Sequence, residues 1–196
     1  MENRATHIYL EMTPNPNTMK FVANYLLVPQ GLSYSFTDKD QLKDSPLAQL
    51  IFNEFDWVQE VFISSNYITL TKPMETDWNE VQMETRNFIT QALTKGTQAV
   101  LEGAQPQQEK PTAPVSEEDE HTVAKIKGIL DEYIRPAVEQ DGGAISFHSF
   151  DQGVVKVLLQ GSCSGCPSST VTLKAGIEAL LKRAMPEVET VEAIDV

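Results

Sequence analysis

The sequence predicts an α+β protein of two small α/β-sandwich-type domains joined by a flexible acidic linker. Three observations support this: alternating apolar residues typical of strands, apolar residues at helical spacing between them, and a polar stretch that shows neither pattern. The chain has 196 residues and 41% of them are hydrophobic, a composition typical of folded proteins. We expect domains at residues 1–101 and 121–196, each large enough to bury a core.

The first domain carries strand and helix signals in alternation. Ser45 before Pro46 is a helix N-cap followed by proline at the first helical position, and it predicts a helix through about Phe55. Asp77 with Glu80 resembles a capping box at the start of a second helix. Strands are expected at residues 6–12, 19–28, 34–36, 57–64 and 67–72. We therefore expect an antiparallel sheet covered by two helices.

Residues 102–120 form the predicted linker. They include three prolines, six acidic side chains and one basic side chain, and they end in four consecutive acidic residues. Such a segment buries too little apolar surface to offset the entropy lost on ordering. We expect it to be extended and self-repelling, so that the two domains can reorient.

The second domain has the predicted element order α-β-β-α-β. Its first helix should end or kink at Arg135, because a following proline disfavours the helical conformation. Strands are expected at residues 144–150, 154–160 and 188–196. Alternation in the first of these strands places Ile145 and Phe147 on one face and Phe150 on the other. Ser168 or Ser169 is expected to cap the helix that follows the second strand.

Charge and hydropathy exclude several classes of partner. The formal net charge of −13 argues against a broad basic surface for nucleic acid. No apolar run approaches the roughly 18–20 residues of a membrane span. The first residues resemble neither a signal peptide nor a transit peptide, so we expect a cytosolic location. In that compartment, two neighbouring cysteines favour metal binding or redox chemistry over a structural disulfide.

The two cysteines of the chain, Cys163 and Cys166, lie in a Cys-x-x-Cys turn between a predicted strand and a predicted helix. The positive end of the helix dipole and its unsatisfied amides favour thiolate over thiol there. Gly161 and Gly165 allow the backbone to fold around a bound centre. The residues alone leave a redox pair and half of a metal site as alternatives.

The redox alternative is a thioredoxin-like thiol–disulfide oxidoreductase, but such sites commonly carry an aromatic residue where this chain has Ser162. A tetrahedral zinc or an iron–sulfur cluster usually takes four protein ligands. His121 and His148 are expected to face solvent, so the four ligands would come from two chains that each donate a Cys-x-x-Cys. A zinc-bridged structural dimer is a third interpretation.

Four ordered motifs resemble the C-terminal domain of the NifU/Nfu family. They are Arg135-Pro136-Ala137-Val138, Asp141-Gly142-Gly143, the cysteine turn at residues 161–169, and Thr172-Leu173-Lys174. Residues 13–21 and Ser45-Pro46-Leu47-Ala48 are similar to the family's N-terminal domain. The resemblance covers nearly the whole chain.

This resemblance implies an iron–sulfur cluster assembly protein, a scaffold or carrier rather than an enzyme. Family members bind a [4Fe-4S] cluster between subunits through the two motif cysteines, here Cys163 and Cys166, with [2Fe-2S] as the alternative. The implied partners are apo iron–sulfur clients, an upstream donor and a second copy in a cluster-bridged homodimer or higher oligomer. For Arg135 and for the turn at residues 141–143, a cluster role and a folding role both stay open.

Overall fold

The structure is a computed structural model that describes residues 5–37, 39–106, 117–164 and 167–195. It divides into two compact units, Met1–Gln107 and Gln108–Val196, each with its own helices and sheet. The predicted α+β class is therefore confirmed. None of the described helices is long and apolar enough to cross a membrane.

The first unit contains a five-stranded antiparallel sheet. Its strands are β1 (Ile8–Met12), β2 (Thr18–Ala23), β3 (Ser33–Phe36), β4 (Glu60–Ser64) and β5 (Tyr67–Thr71), in the order β1-β2-β5-β4-β3. Strand β2 ends five residues before the predicted position. The reason is that the amides of Leu27 and Val28 donate to the carbonyl of Ser65 in the β4–β5 turn, at 2.7 and 3.1 Å.

Two α-helices, α1 (Pro46–Glu54) and α2 (Trp78–Thr94), follow a 3-10 turn at Lys39–Asp44 and strand β5 respectively. Both predicted N-caps are present: Ser45 accepts from the amide of Ala48, and Asp77 accepts from the amide of Asn79. Side chains of both helices and of the strands form one buried cluster. Fully buried aliphatic side chains each contribute about 1.5–3 kcal/mol relative to exposure.

The second unit contains α3 (Glu117–Ile129), a π-helical turn (Leu130–Ile134), α4 (Arg135–Gln140), β6 (Gly143–Asp151), β7 (Val154–Gly161), α5 (Pro167–Ala184) and β8 (Thr190–Asp195). Its sheet has the order β6-β7-β8, with β6 antiparallel and β8 parallel to β7. Ile126, Leu159, Ile177 and Leu181 are buried in its core.

The first helix of this unit loses its regular α-helical hydrogen bonding just before Arg135, where the sequence predicts an end or a kink. The amide of Arg135 bonds to the carbonyl of Leu130, five residues back, rather than four. Pro136 has no amide to donate, so the local π turn absorbs the lost hydrogen bond and the chain continues as α4.

Three further sequence predictions differ from the structure in detail. Helix α3 begins at Glu117, inside the stretch predicted as linker. Most of the predicted linker falls on residues 107–116, which lie outside the described residues. Helix α5 begins at Pro167, so Ser168 and Ser169 lie within the helix instead of capping it.

The third difference concerns Phe150. The register between β6 and β7 shifts between Phe147 and Ser149, which is a β-bulge at His148. The bulge adds one residue to β6, so every side chain after it points to the opposite face from the one that strict alternation predicts. Phe150 therefore packs on the same core as Ile145 and Phe147. The predicted placement of Phe150 on the opposite face is wrong.

Candidate metal centre

The candidate site lies where the start of β6 meets the end of β7. Gly143 is the register partner of Gly161 across these two strands. The backbone of Gly142 has φ +82° and that of Gly161 has φ +65°, a region that favours glycine. The two glycines thus allow both chain segments to turn sharply at one end of the sheet.

Ser162 joins the two turns. Its hydroxyl donates to the carbonyl of Asp141, and its amide donates to the carbonyl of Gly142 at 3.3 Å. The residue is 2% exposed. Because a buried hydrogen bond of this kind is costly to lose, Ser162 fixes the cysteine turn against the turn between α4 and β6. This role could not be predicted from the sequence, since a serine next to a cysteine gives no signal of a distant backbone partner.

Cys163 points into the unit rather than away from it. It is 6% exposed and belongs to the buried core of the unit. A Cβ built at Gly143 would lie 2.7 Å from the Sγ atom of Cys163 and 2.7 Å from the carbonyl oxygen of Gln160. The thiol therefore occupies the space that a side chain at position 143 would need.

Hydrogen bonds on the helix side also hold the backbone around Cys163. The hydroxyl of Thr170 donates to the carbonyl of Cys163 at 3.2 Å. The amide and hydroxyl of Ser164 donate to the carbonyl of Gly161 at 3.1 and 2.8 Å. Cys166 lies outside the described residues, so its position as the second predicted ligand stays a prediction.

Three other residues considered in the sequence are Arg135, His121 and His148. Arg135 pairs with Asp131 on its own helix, with 3.1 Å between Nε and Oδ1. His121 is exposed, and His148 lies at the bulge with its Nδ1 3.2 Å from the hydroxyl of Ser149. Within the described ranges, no three His, Cys, Asp or Glu side chains come together in a metal-binding group. A metal held by Cys163 would need ligands from elsewhere.

Glu178 on α5 is a structural residue that no pattern in the sequence indicated. Its carboxylate accepts from Lys182 Nζ at 2.6 Å, from the hydroxyl of Thr190 at 3.0 Å and from the amide of Val191 at 3.1 Å. These hydrogen bonds lower its pKa to about 2, with the bond from Lys182 as the largest cause. Glu178 thereby ties the helix that follows the cysteine turn to strand β8.

Comparison with known proteins identifies both units. The profile of the NifU-like domain matches residues 126–192, and that of the scaffold protein Nfu/NifU N-terminal domain matches residues 8–96. A solution NMR structure of a NifU-like protein from Saccharomyces cerevisiae is 26% identical with a TM-score of 0.44. That similarity covers 52% of this chain and 91% of the yeast chain.

Similarity over nearly the whole of this chain extends to curated proteins named "NFU1 iron-sulfur cluster scaffold homolog, mitochondrial". The protein of this name from Drosophila willistoni is 38% identical over 194 residues, which is 99% of this chain and 65% of that protein. Its counterpart from Drosophila sechellia is 39% identical over 191 residues, 97% of this chain and 66% of that protein. The chain thus spans slightly less than two thirds of these relatives. With both domain profiles matched in order, the chain belongs to the NifU/Nfu family.

Proposed function

We propose that this chain is an iron–sulfur cluster scaffold and carrier that holds a labile [4Fe-4S] cluster through Cys163 and Cys166. Membership of the NifU/Nfu family is the observation that carries the proposal. The relatives that match the whole chain are named as iron–sulfur cluster scaffold homologues. Cysteine thiolate is the ligand that iron–sulfur clusters use most.

The number of ligands supports a cluster shared between two copies. One chain has two cysteines, whereas a [4Fe-4S] cluster usually takes four thiolates. The described residues hold no other group of potential ligands that would complete the set. A second copy that contributes its own Cys163 and Cys166 gives four sulfur ligands in a homodimer.

The cluster would be cargo, and the protein would act as a carrier rather than an enzyme. In each exchange step a client thiolate forms a bond to one iron while the bond from Cys163 or Cys166 to that iron breaks. The released thiolate then takes up a proton from solvent. Four such exchanges move the whole cluster to the apo-protein with no change in its oxidation state.

Anaerobic reconstitution of the full chain with iron and sulfide tests the proposal. We expect one [4Fe-4S] cluster per two chains, measured by iron and sulfide content, Mössbauer spectra and mass in solution. Cys163→Ser and Cys166→Ser should each abolish stable cluster binding. Ala175→Ser is the matched control, because it introduces a serine at an exposed position of α5 and leaves both sulfurs and the hydrogen bonds of the cysteine turn in place.

Four results would contradict parts of this proposal. A single-cysteine variant that keeps a full cluster would overturn the ligand assignment. A [2Fe-2S] spectrum would change the cluster type while keeping the carrier role. Colourless protein with one zinc per two chains, or a monomer with disulfide reductase activity, would instead support the structural or the thioredoxin-like alternative.

Location within the cell is tested separately. The sequence predicts a cytosolic protein, whereas the names of these relatives include the word mitochondrial. Cell fractionation of the host, with antibodies against the native protein, distinguishes the two. We propose that the carrier serves apo-proteins of the compartment where fractionation finds it.

A further inference from the structure

A cleft in the first unit is unrelated to the cysteine turn. It has a volume of about 590 Å³ and lies between the loop that follows β2 and the segment that follows α2. Leucines at positions 26, 27, 32, 93 and 101 line it. This volume is within the range of about 300–1,000 Å³ that is typical of ligand sites, and apolar walls are typical of them too.

Hydrogen bonds fix both walls of the cleft. On one side, Leu27 and Val28 donate to the carbonyl of Ser65. On the other side, the amide of Leu101 donates to the carbonyl of Asp44 at 2.8 Å, and the carbonyl of Gln98 accepts from the amide of Leu47 at 3.2 Å. The cleft is therefore formed before any ligand binds, which reduces the entropy lost on binding.

Tyr34, on strand β3, supplies a polar group in this apolar cleft. The residue lines the cleft and is 7% exposed, and its hydroxyl makes no hydrogen bond to any residue that the structure describes. The hydroxyl oxygen nevertheless keeps contact with solvent, since it is not among the fully enclosed atoms that lack a partner. The Tyr34 hydroxyl is a donor at neutral pH, and burial raises its pKa further above the ordinary value of 10.0.

Tyr25 differs from Tyr34 because its hydroxyl has a hydrogen-bond partner. It lines the same cleft, but its hydroxyl lies 3.1 Å from the hydroxyl of Thr6. Nearly buried tyrosine hydroxyls usually find such a partner. The Tyr34 hydroxyl has a free donor, solvent access and apolar surroundings. A ligand that carries a hydrogen-bond acceptor next to an apolar group would bind there.

The exposed leucines at the edge of the cleft and the charge of Glu102 indicate which class of ligand the cleft would bind. Leu26 is 53% exposed and Leu101 is 38% exposed, so the apolar lining continues onto the surface as it does at protein interaction sites. Among the described lining residues, Glu102 is the only charged one, which disfavours an anionic ligand. An uncharged or basic peptide meets these conditions, because its side chains are apolar anchors and its backbone carbonyls are acceptors.

We propose that this cleft binds a peptide segment of a partner protein, with an aliphatic side chain among the leucines and a backbone carbonyl that accepts from Tyr34. The partner segment is uncharged or basic beside Glu102. This site does not involve Cys163, so its failure would leave the proposed carrier function unaffected.

Amide chemical shifts of the ¹⁵N-labelled full chain test the proposal, with N-acetyl-leucinamide as the probe. We expect saturable shifts confined to residues 25–34 and 93–104. Tyr34→Phe keeps the ring and removes the donor, so it should weaken binding by about two- to tenfold. Tyr9→Phe is the matched control, because Tyr9 is an exposed tyrosine of the same sheet. This variant should bind the probe as tightly as the wild type does.

Two further probes test whether the cleft prefers a neutral peptide to an anionic ligand and to a purely apolar one. N-acetyl-leucine, which carries a carboxylate, should bind more weakly than the amide, and Glu102→Gln should reduce that difference. Cyclohexane has no hydrogen-bond acceptor and should bind Tyr34→Phe and wild type with the same weak affinity. Absence of saturable shifts, unchanged affinity for the amide in Tyr34→Phe, or cyclohexane binding as tightly as the amide would each overturn the proposal.

Discussion

The Sγ atom of Cys163 lies in the space that a side chain at Gly143 would occupy, only 2.7 Å from the position of a Cβ there. The adjacent glycines of this turn are thus needed for different reasons. Gly142 has a positive φ that other residues rarely adopt, whereas Gly143 leaves room for the thiol. Cys163 is thus positioned by the absence of a side chain on the neighbouring strand.

Gly143→Ala should therefore disturb the cysteine turn. The added methyl group meets the backbone carbonyl of Gln160 as well as the thiol, and a backbone atom cannot rotate away. We expect a loss of about 1–3 kcal/mol in the free energy of unfolding, measured with urea. Displacement of Cys163 should also raise the rate at which iodoacetamide alkylates it, with peptide mass mapping to distinguish Cys163 from Cys166.

Gly176→Ala, in the same unit, should raise the free energy of unfolding instead of lowering it. Gly176 lies inside α5, and a Cβ built there has nothing within 4 Å. Alanine should stabilise the helix by roughly 0.5–1 kcal/mol and leave the alkylation rate of Cys163 unchanged. If both alanine variants behaved alike, the close approach of Gly143 and Cys163 would lose its support.

The contact between Gly143 and Cys163 could not be predicted from the sequence, whereas the local elements could. Caps such as Ser45 and Asp77 depend on residues within three positions, so a one-dimensional pattern reveals them. Gly143 and Cys163 are twenty positions apart, and only the pairing of β6 with β7 brings them together. The two glycines indicated a turn, but which of them approaches a side chain closely depends on tertiary structure.

The bulge at His148 shows a second limit. Strict alternation predicts the face of a side chain only while the register holds, and one inserted residue reverses every later assignment. Phe150 is therefore on the core side although the pattern placed it outside. The apolar character of Phe150 was itself a signal, because burying an aromatic ring favours the register that covers it.

The two N-caps of the first unit should differ in strength. Ser45 is fully buried, and its hydroxyl both accepts from the amide of Ala48 at 3.0 Å and donates to the carbonyl of Ala99. Asp77 is exposed and caps α2 through the amide of Asn79 at 2.9 Å. Ser45→Ala removes a cap and leaves a buried carbonyl with one partner fewer.

We expect Ser45→Ala to cost about 2–4 kcal/mol in the free energy of unfolding, the sum of a lost cap and a lost buried hydrogen bond. Asp77→Ala should cost about 1 kcal/mol. Equilibrium urea unfolding, followed by fluorescence of the tryptophans in this unit, measures both. Equal losses in the two variants would show that the bond from Ser45 to Ala99 contributes nothing.

Glu178 should make the second unit sensitive to acid. Its pKa is lowered from 4.5 to about 2 in the folded protein, chiefly by the hydrogen bond from Lys182 and then by those from Val191 and Thr190. A carboxyl group with a lowered pKa stabilises the folded state fully above its unfolded value of 4.5. That contribution is lost as the pH falls from 4.5 to about 2, because the folded state must then accept a proton.

Glu178→Gln should be less stable than the wild type at neutral pH, and the difference should shrink as the pH falls through this window. Urea unfolding at a series of pH values, followed by a signal from the second unit, measures the difference. Glu187→Gln is the matched control, since Glu187 is an exposed glutamate of the same unit. A difference between Glu178→Gln and wild type that is independent of pH would mean that the carboxylate charge does not hold α5 to β8.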